Sequence, residues 1–168
     1  DGGDDGDEYD YSPLLDDLIL YNDNVKADYY MEESSFFSYI NICYRLDVPK
    51  DIESRKKKIC DSYIYINIRL SIPKNKPIID VKINIENMAK DHRVRVYIPT
   101  GLKSHFSISD NQFGSIKRPV IDSAIDIWKE EKWNERPDSI YPMLSYVGLS
   151  NEKYGLAVLT NSTREYEI

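Results

Sequence analysis

The feature that most constrains this chain is residues 63–72, where Ile64, Ile66, Ile68, Leu70 and Ile72 alternate without a break with Tyr63, Tyr65, Asn67, Arg69 and Ser71. A period of two puts every aliphatic side chain on one side of an extended strand, whereas a helical period of 3.6 would scatter them around the axis. Three further runs repeat the pattern. In 35–46, Phe36, Ile40, Ile42, Tyr44 and Leu46 share a side; in 79–86, Ile79, Val81, Ile83 and Ile85 do; and Val94, Val96 and Ile98 form a shorter set. Turn signals at 49–53, 73–77 and 87–92 are short enough to join antiparallel neighbours. A strand near ten residues spans about 33 Å at ~3.3 Å per residue. The expected fold class is therefore all-β, a large antiparallel, supersandwich-like β-sandwich of broad sheets packed face to face.

Beyond Pro99 the pattern is less regular, although 105–109 and 154–160 still read as strands. Ile121, Ala124, Ile125 and Trp128 fit helical spacing, so one short helix near 121–132 stands beside a long loop as the two readings of that stretch. Charge divides the chain differently. The first 25 residues hold nine of the 29 acidic side chains and no basic one, leaving 22 basic against 20 acidic in the rest. The expected organisation is an acidic loop and lead-in over 1–25, followed by a β-sandwich domain over 26–168. A nearly neutral body without a Lys/Arg stripe excludes nucleic acid as a partner, because such binding rests on phosphate neutralisation. With no apolar run long enough for a signal peptide or membrane helix, the reading is a soluble piece of a larger protein with no membrane partner and a cytoplasmic, bacterial location. Cys43 and Cys60 lack a metal-ligand spacing and read as two buried free thiols. Asn161-Ser162-Thr163 spells a glycosylation sequon, which carries little weight without a secretory signal.

Chemistry-bearing candidates are few. The opening Asp4-Asp5-Gly6-Asp7-Glu8-Tyr9-Asp10-Tyr11-Ser12-Pro13 concentrates carboxylates, glycine and tyrosine. A calcium loop would need a Glu at its twelfth position, where Ser12 stands. Carboxylates that accept from vicinal hydroxyls, with tyrosines able to stack on a pyranose, fit a sugar-facing loop; composition alone favours a solvated acidic terminal segment. His92 and His105 lack a nucleophile or ligand partner at a fitting spacing and read as structural or exposed. Glu130 and Glu131 are sequence neighbours among lysines and do not suit the facing geometry of a glycosidase acid pair. Fourteen tyrosines admit a carbohydrate surface, but tyrosine on the wet side of a sheet is ordinary strand composition.

Two separated segments go further. The 4–13 fingerprint, followed some eighty residues on by Arg93-Val94-Arg95-Val96-Tyr97-Ile98-Pro99-Thr100-Gly101 and by 107–119, resembles blocks of bacterial glycoside hydrolase family 38. The resemblance continues through Trp133-Asn134-Glu135-Arg136-Pro137, Ile140-Tyr141-Pro142-Met143 and 154–160, while 21–88 matches only in strand pattern. Within the family it is most similar to the mannosylglycerate hydrolase type, including forms acting on a 6-phosphorylated sugar. It implies a retaining α-mannosidase whose N-terminal catalytic α/β barrel binds zinc and supplies an aspartate nucleophile, with an α-mannoside as substrate. None of those nucleophile or metal motifs occurs here, so the resemblance carries over no catalytic residue and no metal ligand, and any zinc would be bound outside this chain. What it does carry over is a substrate-binding rim: Asp5, Asp7, Tyr9, Tyr11 and Tyr141. Asp5 and Asp10 depart from the family pattern, where a small residue and an asparagine are expected. The segment is expected to be inactive alone, buttressing the barrel and lining the sugar pocket. The alternative is an independent carbohydrate-binding β-sandwich module without hydrolase activity, and inter-domain packing remains a second role for the same loops.

Overall fold

The computed structural model describes residues 1–6, 11–128, 130–133 and 137–168. Two compact units divide the chain, residues 1–96 and 97–168. The first contains β1 (Gly2–Gly3), β2 (Asp28–Glu33), β3 (Phe37–Val48), α1 (Ile52–Lys56), β4 (Ser62–Pro73), β5 (Asp80–Asn87) and β6 (His92–Arg93). The second contains β7 (Phe106–Asn111), β8 (Gly114–Pro119), α2 (Ala124–Ile127), β9 (Ile140–Pro142), β10 (Tyr146–Ser150), β11 (Gly155–Leu159) and β12 (Glu165–Glu167). Every strand pair is antiparallel. The all-β expectation holds, and α2 realises the short helix within 121–132 as a single turn.

In the first unit the sheet order is β2-β3-β4-β5. β3 and β4 pair over their full length in the register Leu46↔Ile64, Tyr44↔Ile66 and Ile42↔Ile68, which collects the alternating aliphatics on one side. Leu46, Val48, Ile64 and Ile66 are buried there, Val48 and Ile64 completely, under Leu20, Val25, Ala89 and Val94. Each such side chain contributes about 1.5–3 kcal/mol on leaving water. The opposite side holds arginine over tyrosine: the Arg45 guanidinium lies 4.3 Å from the Tyr63 ring and that of Arg69 4.7 Å from the Tyr39 ring. Several tyrosines of the wet face are thus committed to cross-strand and cation–π packing.

Three local expectations are corrected. Residues 94–98 alternate as a strand would, yet among the described residues the ladder extends only over His92 and Arg93, opposite Gly3 and Gly2. The 49–53 turn grows into α1, started by Asp51, whose carboxylate accepts from the Ser54 N–H at 3.0 Å. Both thiols are exposed rather than buried: Cys43 points to the wet face and its Sγ donates to Asn67 Oδ1, directly across the strand pair, at 2.8 Å. The second unit has a four-stranded sheet, β11-β10-β7-β8, and a separate β9–β12 ribbon.

Candidate functional site

The described ends of the acidic fingerprint meet at a neck that is anchored to a buried charge cluster. Asp5 N–H donates to the Ser12 carbonyl at 2.9 Å, and the Asp4 carboxylate accepts from the N–H groups of Gly6 and Ser12, both at 3.0 Å. Carboxylates that receive their own backbone in this way hold a turn without a helix or sheet around it. Below the neck, Gly2 and Gly3 pair with Arg93 and His92, and Asp4 N–H donates to the Asp91 carbonyl at 3.1 Å. Asp91 stands in the left-handed region with φ 55°, tolerable for an aspartate, and its carboxylate accepts from Ile52 N–H at the start of α1 at 3.2 Å.

Arg55, only 1% exposed, is the hub of this anchor. Its guanidinium is ion-paired with the fully buried Asp1 carboxylate, pairs with Asp17 at 3.4 Å, and donates to the Leu18 carbonyl at 2.6 Å. Asp17 reaches back to Gly3 N–H at 2.7 Å. A Cβ on Gly3 would overlap the Arg55 stem and lie 2.7 Å from Leu14 Cδ1, so only glycine lets the strand pass this close. The His92 ring contacts Asp1 through Nδ1 and faces Asn87 Oδ1 at 3.1 Å through Nε2. Burial first, then the Arg55 guanidinium, holds the His92 pKa below its ordinary 6.5, against an opposing pull from Asp91.

Among the sequence-predicted rim residues, Asp5 lies at the loop neck with its carboxylate 3.6 Å from Lys56 Nζ, and Tyr11 lies under the Arg93 guanidinium at 4.6 Å. Asp7 and Tyr9 fall outside the described residues. Tyr141 belongs to the second unit, on β9, and is half-buried there against Tyr166, with ring centroids 5.7 Å apart. Burial, followed by the nearby Asp122, raises the Tyr141 pKa, so the phenol keeps its proton. The same unit is latched by Asp110, whose carboxylate accepts from the N–H groups of Leu144, Ser145 and Tyr146 and from the Ser145 hydroxyl at 2.5 Å. Partial desolvation pushes the Asp110 pKa up, but these hydrogen bonds outweigh it and hold it well below the ordinary 3.8.

Sequence reasoning missed the anchor. Arg55 sits in Asp51-Ile52-Glu53-Ser54-Arg55-Lys56-Lys57-Lys58, which reads as a solvated surface segment, and its partners lie 38 and 54 positions away. The paired glycines before the loop were the only local sign of close packing. Among the described residues no group of three or more His, Cys, Asp or Glu is placed to hold a metal, and Asp1 and Asp17 are closed around a guanidinium that fills the position a cation would need. Among the described residues no helix is long and apolar enough to cross a membrane.

The chain is 25% identical, over its whole length, to a protein of Halalkalibacterium halodurans whose assigned name is mannosylglycerate hydrolase, and it spans 20% of that relative's length. It also matches the crystal structure of an alpha-mannosidase from Enterococcus faecalis V583 with a TM-score of 0.81 and 21% identity, covering 99% of this chain and 20% of that one. The model of the glycosyl hydrolases family 38 C-terminal domain matches residues 1–168, and the chain belongs to that family.

Proposed function

We propose that this chain is the substrate-side β region of a retaining α-mannosidase, acting on α-mannosides such as mannosylglycerate or its 6-phosphate and packing against a catalytic part carried elsewhere in the same polypeptide. The observation that carries the reading is the acidic–tyrosine loop: it belongs to a chain matched end to end by the family's C-terminal domain, and its neck is held by Arg55 rather than left as a loose terminus. A loop neck held in one geometry suits recognition, since ordering it at the moment of binding would cost affinity. Asp5 and Tyr11, with Asp7 and Tyr9, would accept from sugar hydroxyls and stack on the ring, and Tyr141 would serve as a donor. The zinc that the family resemblance implies would be held by the catalytic part of the polypeptide. Two exposed free thiols suit a reducing compartment, which supports a cytoplasmic location.

The test compares the intact gene product with the isolated chain on an aryl α-mannoside. Turnover by the intact protein and none by a folded isolated chain is the expected result, with Asp5→Ala and Tyr11→Phe raising KM in the intact protein. An intact product inactive on every α-mannoside would overturn the reading, and sugar binding by the isolated chain without any hydrolase activity in the intact protein would make it a binding module.

A further inference from the structure

Arg118, on β8, is held from one side only. Its Nη1 donates to Ser109 Oγ at 2.6 Å and to the Tyr166 hydroxyl at 3.3 Å. Those acceptors stand on a dry polar base: Ser107 and Ser109 are fully buried, and the Tyr166 hydroxyl lies 3.1 Å from Ser107 Oγ. The Tyr141 ring forms a wall beside the guanidinium, 5.0 Å from centroid to Cζ. All of these partners are neutral. The half-buried Arg118 has no ion pair among the described residues, in contrast to Arg55, which is closed by two carboxylates. Its Nη2 and Nε have no hydrogen-bond partner among those residues either, and neither atom is sealed from solvent. Asp122 and Asp138, which act electrostatically on Tyr141, each accept a backbone N–H, of Ala124 and Ile140, both at 2.9 Å, and neither is ion-paired with Arg118.

A guanidinium fixed on a buried hydroxyl base, with three N–H groups presented outward, is pre-organised for a single oxyanion, which it can bind in bidentate fashion. Holding that charge half out of water with only neutral partners also leaves it short of a counter-anion. We propose that Arg118, beside Tyr141, binds an anionic group of the substrate, a carboxylate or a phosphate. This rests on the α-mannosidase reading and deepens it, because the aglycone of a mannosylglycerate carries a carboxylate and a 6-phosphorylated sugar carries a phosphate. Of the two donors, Arg118 confers the charge preference and Tyr141 the neighbouring wall.

The experiment is a ligand-detected NMR titration of the intact gene product with D-glycerate, mannose 6-phosphate and, as the uncharged counterpart, glycerol, alongside turnover of a neutral aryl α-mannoside. The wild type is expected to bind one of the two anions and not glycerol; D-glycerate assigns the site to an aglycone carboxylate and mannose 6-phosphate to a sugar phosphate. Arg118→Gln is expected to weaken that anion at least tenfold, with Arg118→Lys recovering part of the loss. Failure of the wild type to bind either anion overturns the proposal without recourse to any variant, as does equal binding by wild type and a folded Arg118→Gln. Anion binding that depends on Arg118 in a protein inactive on every mannoside would keep the site and reject the enzyme reading. Turnover without such binding would do the reverse.

Discussion

At the scale of single residues, the most consequential side chain is one that the sequence disguises. Arg55 looks like part of a basic surface run, yet it neutralises Asp1 and Asp17 in a place water does not reach. Removing one member of a buried ion pair leaves the other uncompensated. Arg55→Met is therefore expected to cost about 3–5 kcal/mol, read from urea unfolding followed by circular dichroism. Gly3→Ala acts on the same spot by overlap with the Arg55 stem and Leu14 and is expected to cost about 1–3 kcal/mol by overpacking. If both variants unfold like the wild type, the loop neck is not anchored in this way. Asp5, Tyr11 and Tyr141 could be proposed as rim residues from the sequence because the resemblance rests on short contiguous blocks. Arg55, Asp17 and His92 were not, because their meaning lies in contacts between segments tens of residues apart.

Elements follow the alternating pattern closely where both strands of a pair are long. β3 and β4 stand where the period-two runs put them, and their inward positions supply the core; Ile64→Ala is expected to cost about 2–5 kcal/mol, whereas Val81→Ala, at an exposed position, should fall within about 0.5 kcal/mol. At 94–98 the side chains alternate, but among the described residues the ladder covers only His92 and Arg93. Alternation describes which way side chains point, and a strand also requires a partner edge. In the second unit, Asp110 ties β7 to the segment leading into β10. Its folded pKa lies below the unfolded value near 3.8, so its contribution to stability is present above that pH and is lost as the pH falls toward the folded value. Thermal melts are expected to fall between pH 5 and pH 3, and Asp110→Asn should flatten that fall while lowering the melting temperature at neutral pH.

For the whole molecule, the core side of the first sheet is only partly covered. Register puts Tyr29 opposite Ile42, Met31 opposite Ile40, Val81 opposite Leu70 and Ile85 opposite Ile66, all on the aliphatic side, and all four are exposed. Apolar side chains grouped in this way favour association, so the isolated chain is expected to scatter light increasingly with concentration, and Met31→Lys with Val81→Lys to suppress it; no change on that substitution would show the face to be inert. The sequence by itself determined the antiparallel all-β class, the long paired strands and the family, because periodicity and contiguous motifs are local properties that survive without coordinates. Only the tertiary structure decided that the neck of the acidic loop is pinned by Arg55, that the thiols face outward, and that Arg118 rests on buried hydroxyls with an open edge. Each of these depends on which distant segments meet, and on how much water is excluded where they do.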